Sequence, residues 1–316
     1  MECDPIIIIA ENLKKSFGNI QAVDGINLEI PKGQIVGLLG PNGAGKSTTI
    51  SMISTLYKPT SGKLYFDGKD IIKEPKWIKP HLGYVPQEIA LYQTLSGYEN
   101  LKYFGGLYGL SGVELKKRIE KVSEIIGIND RLKDKVEHYS GGMKRRINIG
   151  VALLHNPKII IMDEPTVGID PQSRNHILET VKLLNEQGMT VIYTSHYMEE
   201  VEAICQNVYI MDHGKIIASG TQEALIDQSD SHTSIHLKFD NNVKNRIDQF
   251  KQIKNVMAVT AVEDDEMVIL AGGNGNSQKE IIRGIMEMEI GLVSFDVTKP
   301  NLEQVFLKLT GRGLRD

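Results

Sequence analysis

A glycine-rich segment of the sequence has the residue types and the spacing that bind phosphate groups. Gly40 to Ser47 reads GPNGAGKS and lies between an apolar run that predicts a strand and a segment that predicts a helix. Glycines let backbone N–H groups close around phosphates, and the start of a helix adds a favourable dipole. We expect the Lys46 ammonium to reach the β- and γ-phosphates of a nucleotide and the Ser47 hydroxyl to ligate Mg²⁺. A glycine-rich turn without a ligand is the alternative, and the flanking strand and helix argue against it.

Two acidic residues at the end of a second apolar run complete this chemistry. The sequence IIIMDEP predicts a buried strand that ends in Asp163 and Glu164. Carboxylates are costly to bury unless a cation or a reacting water needs them. We expect Asp163 to hold the Mg²⁺ shell and Glu164 to act on the water that attacks the terminal phosphate. A solvated strand end is the alternative for Glu164.

A third segment, Tyr139 to Arg146, reads YSGGMKRR and resembles the signature sequence of ATP-binding cassette (ABC) proteins. The resemblance runs from about Ile8 to Gly220, with its motifs in the order and spacing of that family. Several independent motifs in the correct order are far more specific than one, so the chain is identified as a member of the ABC cassettes. The matching motifs are Phe17, GPNGAGKST, Gln87 in YVPQE, SGGM, IIIMDEP, VGID and His196.

The resemblance implies roles for residues that carry little signal by themselves. Phe17 would stack on adenine, although a phenylalanine could equally be a buried core residue. Gln87 would sense Mg²⁺ and the attacking water, and His196 would donate a hydrogen bond to the γ-phosphate, although a lone histidine is more often structural. The implied catalytic residues are Lys46, Gln87, Glu164 and His196, and the implied Mg²⁺ ligands are Ser47, Gln87 and Asp163. The implied ATP contacts within the chain are Phe17, Gly40, Pro41, Asn42, Gly43, Ala44, Gly45, Lys46, Ser47 and Thr48.

In this family the signature loop completes the ATP site of a second cassette, so the working unit is a dimer of cassettes. The second cassette would be another copy of this chain or a paralogous chain. The resemblance therefore implies that Ser140, Gly141 and Gly142 meet the γ-phosphate bound by the partner. Asp170 resembles an aspartate that passes between the subunits, and a helix N-cap at this position is a compatible alternative. The basic run Lys144 to Arg146 is interpreted as a solvated face with no separate role.

The elements that must position these residues have an α/β pattern. Short β-rich runs from Ile6 to about Ile30, broken by turn-formers at 18–19 and 24–25, predict an antiparallel β layer. Short apolar strands before the glycine-rich loop, in IIIMDEP and in VIYTSH predict a mostly parallel core sheet that is buried on both faces. The expected fold is therefore a P-loop NTPase cassette of the ABC type.

A mostly helical subdomain is predicted at about residues 88–155, between two strands of the core sheet. Ser111 and Glu114 are spaced as a capping box at the start of one of its helices. The helical period places four apolar residues on one face of that helix. These residues are Leu115, Ile119, Val122 and Ile126.

A second domain is predicted at residues 230–316, because a polar stretch around Asp230 indicates a linker after an ATP-binding domain of residues 1–229. Its pattern of strands and helices is βαββαβ, the ferredoxin-like order of a small α+β domain, with no catalytic constellation. The end of this domain, KPNLEQVFLKLTG, resembles the tail of cassettes in the drug, antibiotic and sodium exporter branch, which implies export. One face of the final helix carries Leu302, Val305, Phe306 and Leu309, and we expect this face to dock on a domain core.

Composition narrows the class of protein. The 316 residues carry a net charge of −4, which predicts no strong field for nucleic acid. Cys3 and Cys205 are too few for a disulfide framework and fit a reducing cytoplasm. No run is apolar and long enough to span a membrane, so we expect a cytoplasmic protein, peripheral on the inner face of the membrane and bound to a separate permease. A soluble ABC ATPase, for example one associated with ribosomes, is the alternative.

Overall fold

The computed structural model describes residues 5–228, 233–272, 277–288, 290–298 and 301–310. These residues fall into two compact units, one within Met1–Gln222 and Leu309–Asp316 and the other within Glu223–Lys308. The domain boundary expected near Asp230 lies outside the described residues.

Strands and helices alternate through the first unit, as the sequence pattern indicates. Its elements are β1 (Ile6–Phe17), β2 (Ile20–Pro31), β3 (Ile35–Leu39), α1 (Lys46–Ile53), β4 (Ser61–Phe66), β5 (Lys69–Asp70), β6 (Leu82–Val85), α2 (Gly97–Leu107), α3 (Gly112–Ile125), α4 (Gly141–Leu153), β7 (Ile159–Asp163), α5 (Pro171–Glu186), β8 (Thr190–Ser195), α6 (Met198–Ile204), β9 (Asn207–Asp212) and β10 (Lys215–Thr221). The elements from residue 222 onward are α7 (Gln222–Gln228), β11 (Thr233–Phe239), α8 (Ile247–Lys251), β12 (Val256–Ala261), β13 (Glu266–Ala271), α9 (Ser277–Met286), β14 (Leu292–Thr298) and α10 (Leu302–Thr310).

The predicted antiparallel layer is a four-stranded sheet in the order β2-β1-β4-β5. A turn lies at 18–19 as expected, but the prediction of a second turn at 24–25 is wrong. Strand β2 continues through Gly25, which has a φ of 73° and is an extra residue between the pairs Lys14–Asp24 and Leu13–Ile26. A left-handed glycine here makes a β-bulge, because the partner strand β1 pairs on both sides of it.

The predicted core sheet has six strands in the order β10-β9-β3-β8-β7-β6. Strands β9, β3, β8, β7 and β6 are parallel, and β10 returns antiparallel beside β9. Every residue of β3, β7 and β8 is buried, as expected for a sheet covered on both faces. Because these three strands are parallel neighbours, their carboxyl ends meet at one edge of the sheet, where an α/β fold binds its ligands.

Helices α2, α3 and α4 form the predicted helical subdomain between β6 and β7. The capping box expected at Ser111 is wrong, because its side chain makes no capping hydrogen bond and Gly112, with a φ of 55°, redirects the chain there. A capping box does form at α2, between Ser96 and Glu99. The predicted apolar face of α3 is buried and consists of Leu115, Ile119, Val122 and Ile126.

The second unit contains a four-stranded antiparallel sheet in the order β12-β13-β11-β14. This is the strand order of the ferredoxin-like βαββαβ arrangement, with α8 and α9 as its two helices. Its core includes Phe239 and Phe250, whose ring centroids lie 5.5 Å apart. Helix α10 buries Leu302, Val305 and Phe306 as expected, but the expectation for Leu309 is wrong, because 45% of this residue is exposed.

Within the described parts of the chain, no helix has the length and apolar character needed to cross a bilayer.

Candidate nucleotide-binding and hydrolysis site

The glycine-rich loop, called the P-loop below, connects the carboxyl end of β3 to the start of α1. Gly45 caps α1 with a φ of 104°, and a Cβ atom at this position would lie 2.6 Å from the carbonyl oxygen of Ala22. A Cβ atom on Gly40 would lie 2.4 Å from the carbonyl oxygen of Met211. Both positions therefore require glycine, one for its conformation and one for close approach of the backbone.

Neighbouring backbone holds the P-loop in shape. The turn between β9 and β10 supplies Gly214, whose N–H donates to the carbonyl oxygen of Ala44 at 3.0 Å. The Gly214 carbonyl accepts from the N–H of Asp24, in β2, at 2.8 Å. The loop is thus tied to both sheets of the unit by hydrogen bonds that do not involve a ligand.

Lys46 is the first residue of α1, and only 5% of it is exposed. Its ammonium donates to the carbonyl oxygens of Gly40 at 2.7 Å and Pro41 at 3.2 Å, and lies 3.8 Å from Glu164 Oε1. Burial lowers the pKa of Lys46, against the opposing effect of the nearby Glu164 and Asp163 carboxylates. The two hydrogen bonds to carbonyl oxygens hold the Lys46 side chain inside the curve of the P-loop.

Asp163 ends β7 and faces α1 across the edge of the core sheet. Its carboxylate accepts a hydrogen bond from Thr194 Oγ1 at 2.8 Å, and Ser47 Oγ lies 3.5 Å away. Burial raises the pKa of Asp163, and the hydrogen bonds from Thr194 and Ser47 partly oppose that effect. This hydroxyl–carboxylate pair fits a hard cation such as Mg²⁺, which takes its other ligands from phosphate and water. No cluster of three or more His, Cys, Asp or Glu with metal-binding geometry occurs among the described residues.

Glu164 follows Asp163 and adopts a left-handed conformation with a φ of 47°. Its Oε2 accepts from Gln87 Nε2 at 3.2 Å and lies 3.4 Å from His196 Nδ1, a contact without hydrogen-bond alignment. Non-glycine residues in this conformation are strained and concentrate at functional sites. The structure therefore brings Lys46, Gln87 and His196 to the Glu164 carboxylate.

Phe17 lies at the end of β1 with 42% of its surface exposed, so the alternative of a buried core phenylalanine is wrong. Tyr57 packs edge-on against it, with the ring centroids 5.4 Å apart. The ammonium of Lys15 lies 4.9 Å above the Phe17 ring. Neither Tyr57 nor Lys15 was expected from the sequence, because neither belongs to a motif.

A cavity of about 340 Å³ opens along the P-loop and is lined by residues 42–48, Gln87 and Glu164. Residues 20–22, at the start of β2, form another part of its wall and were also missed from the sequence. Their position next to the predicted hairpin turn at 18–19 is the signal that could have found them.

The residues expected to act on a partner's nucleotide lie together, and none of the described residues lining this cavity belongs to that set. Ser140 caps α4, accepting from the Met143 N–H at 3.2 Å. Asp170 caps α5, accepting from the Ser173 N–H at 2.9 Å, as its N-cap interpretation predicts. A Cβ atom on Gly142 would lie 2.1 Å from Ser173 Oγ, so the starts of the two helices are in close contact.

The interpretation of the basic run as a solvated face is wrong for Arg145, which is only 4% exposed. Its guanidinium donates from Nη1 to the Pro86 carbonyl at 2.7 Å and from Nη2 to the Gln87 carbonyl at 2.6 Å. The helical period places this residue on the inner face of α4. Three consecutive basic residues conceal that position in the sequence.

A second missed residue is Glu200 on α6, with 1% exposure. Its Oε2 accepts hydrogen bonds from Thr166 Oγ1 and Ser195 Oγ at 2.8 Å each and from Tyr193 Oη at 2.9 Å. Arg174 Nε lies 3.3 Å from its other oxygen. Through these contacts Glu200 connects β8, α5 and the segment that follows Glu164.

These observations define a nucleotide hydrolase with the motifs of an ABC cassette. The family model described as ABC transporter matches residues 23–167. Together with the full-length relatives described next, this match shows that the chain belongs to the ATP-binding proteins of ABC transporters and is an ATPase.

The chain is 51% identical over 308 residues to the linearmycin resistance ATP-binding protein LnrL of Bacillus subtilis, covering 97% of this chain and 99% of that protein. It is 36% identical to Nod factor export ATP-binding protein I of Cupriavidus metallidurans, covering 98% and 99% of the two chains. It is 32% identical to the daunorubicin/doxorubicin resistance ATP-binding protein DrrA of Streptomyces peucetius, covering 98% and 94%.

Solved cassettes share the fold of the first unit. An ATP-binding subunit of an ABC transporter superposes with a TM-score of 0.64 at 28% identity, covering 70% of this chain and 92% of that one. A dimeric cassette in a post-hydrolysis state with ADP and Pi superposes with a TM-score of 0.62 at 28% identity, covering 68% and 98%.

Proposed function

We propose that this chain energises the export of small organic compounds by hydrolysing Mg-ATP, as one of two cassettes bound to a separate membrane-spanning permease. The observation that carries this proposal is the 51% identity to a resistance ATP-binding protein over 97% of the chain, which takes in both units. Resistance and export also stand in the names of the relatives at 36% and 32% identity. In this assembly the chain lies on the cytoplasmic face of the membrane.

Hydrolysis uses the residues that meet at the edge of the core sheet. Glu164 accepts a proton from the attacking water while the water oxygen forms a bond to the γ-phosphorus. The bond between the γ-phosphorus and the bridging oxygen breaks, and that oxygen leaves with ADP. Lys46 and the P-loop N–H groups stabilise the negative charge on the phosphates. Gln87 orients the water, and His196 donates a hydrogen bond to the γ-phosphate. The 3.2 Å contact between Gln87 and Glu164 supports their acting on the same water.

Ser47, Asp163 and Gln87 would hold Mg²⁺ beside the phosphates. When bound, the ion neutralises charge on the β- and γ-phosphate oxygens. The chain's own contribution is to keep Asp163 oriented, through the 2.8 Å hydrogen bond from Thr194 Oγ1.

The second cassette supplies the remaining contacts to each ATP. Ser140, Gly141 and Gly142 open α4, and the first N–H groups of a helix have no acceptor within that helix. They form an anion site suited to the γ-phosphate of the partner's nucleotide. The start of α5, which Asp170 caps, is in close contact with Gly142. This contact supports a role at the dimer interface for both helix starts.

Purification of the tagged full chain from membranes of its native cells tests this proposal. We expect a membrane-spanning protein to co-purify, and cells that lose the chain to become more sensitive to linearmycin or daunorubicin, the compounds in the relatives' names. Complementation by the wild-type gene should restore resistance, and Lys46→Ala should not. Absence of a membrane partner, or unchanged sensitivity, would contradict the proposal and favour a soluble ATPase.

A further inference from the structure

Arg145 occupies a position that is unfavourable for a cation. It is 4% exposed, and burial lowers its pKa, an effect that is opposed among the described residues by Tyr193 and not by a carboxylate. It also lies in the second turn of α4, away from the C-terminal turn where the helix dipole would favour a cation. A buried charge without a counter-charge is costly, so stability alone does not account for an arginine here.

The hydrogen bonds of Arg145 lead directly to the hydrolysis site. Two guanidinium nitrogens hold the carbonyl oxygens of Pro86 and Gln87, at 2.7 and 2.6 Å. The side chain of Gln87 in turn donates to Glu164 at 3.2 Å. A fixed fork of two donors on two successive carbonyls sets the orientation of the peptide between them, and not only its position.

The other end of this path is the start of α4. Ser140 caps the helix that carries Arg145, five positions further along the chain. A helix moves as a rigid element over such a short distance. Any shift of the Ser140 to Gly142 segment is therefore carried through Arg145 to the backbone of Gln87.

We propose that Arg145 is a positioning residue that couples the signature segment of one cassette to Gln87 and Glu164 of the same cassette. The coupling rests on the proposed role of Ser140 to Gly142 at the partner's ATP. When the partner's nucleotide binds that segment, α4 adjusts, and the guanidinium brings the Gln87 peptide into the orientation needed for hydrolysis. The nucleotide bound by the partner thus affects the orientation of Gln87, and of the attacking water, in this cassette.

The test compares Arg145→Met with Arg146→Met in the purified full chain. Methionine fills a similar volume without donors. Arg146 is a matched control on the same helix, because it donates to the Gly127 carbonyl at 2.7 Å, away from Gln87. We expect Arg145→Met to lower kcat for ATP at least tenfold with KM within twofold of wild type, and to abolish cooperativity in ATP concentration. Arg146→Met should keep kcat within twofold.

Two further measurements separate positioning from loss of folding. Arg145→Lys keeps the charge but has a single donor nitrogen, so it should recover part of kcat. Amide exchange at Gln87 and Glu88 should accelerate in Arg145→Met but not in Arg146→Met. Unchanged kcat in Arg145→Met, or equal losses in both methionine variants, would overturn the proposal. Because turnover is measured without a permease, this result and the export experiment fail independently of each other.

Discussion

The two units of this protein treat polar groups in opposite ways. In the first unit, charged side chains such as Lys46, Arg145, Glu164 and Glu200 are buried. In the described part of the second unit, the buried side chains are apolar and the ion pairs, such as Lys254–Glu280, lie at the surface. Because buried charges cost free energy unless they are paired or hydrogen-bonded, they are expected mainly at a reaction site or in the bonded network that supports it. The contrast locates the reaction in the first unit and gives the second a core built for stability.

The largest expected effect tests whether chemistry is confined to the first unit. Glu164→Gln removes the proton acceptor and keeps the shape of the side chain, so ATP turnover should fall about a thousandfold while ATP still binds. Phosphate release at saturating ATP measures it. The control is Glu266→Gln, which removes a surface partner of Lys238 and should leave turnover unchanged. Normal turnover in Glu164→Gln would refute the assignment of Glu164.

An intermediate effect compares a buried acid with an exposed one. Glu200→Ala leaves the Thr166, Ser195 and Tyr193 hydroxyls without their acceptor, and we expect the free energy of unfolding to fall by about 3 kcal/mol. Chemical denaturation measures the change. Glu280→Ala breaks the exposed pair with Lys254 and should have little effect, because surface ion pairs contribute little. Similar losses in both variants would remove the contrast between the units.

The smallest expected effect concerns Phe17, the exposed aromatic residue at the end of β1. Phe17→Ala should weaken ATP binding roughly tenfold, the value of one stacked base, without changing kcat at saturation. Titration with a fluorescent ATP analogue measures the affinity. Tyr103→Ala, an exposed aromatic on α2, is the matched control and should bind ATP as the wild type does. A loss of stability in place of affinity would indicate a structural role for Phe17.

The sequence predicted the fold and the phosphate-binding elements well, because their signals are local. The strand, glycine loop and helix around Lys46 form one continuous segment, and Asp163 ends an apolar strand that cannot be placed elsewhere. The ferredoxin-like order of the second unit also follows from consecutive apolar runs. In each case neighbouring residues in the chain determine the structure.

Predictions failed where distant contacts decide. The partners of Arg145 lie 58 and 59 residues away, so its neighbours in sequence gave no sign of burial. The dipeptide Asp24-Gly25 is typical of a turn. Only the pairing of β1 with the residues on both sides of Gly25 shows that this glycine forms a bulge. The Ser111 capping box failed because one glycine with positive φ lies inside the motif. The role of Glu200 required knowing that β8, α5 and α6 converge.

The two hydrogen bonds of Gly214 bear on how nucleotide recognition is timed. With Ala44 and Asp24 already tied to the β9–β10 turn, the P-loop has its shape before ATP arrives. The entropy of ordering this loop is therefore lost during folding, so association does not have to supply it. Binding of the phosphates therefore requires little rearrangement of the P-loop.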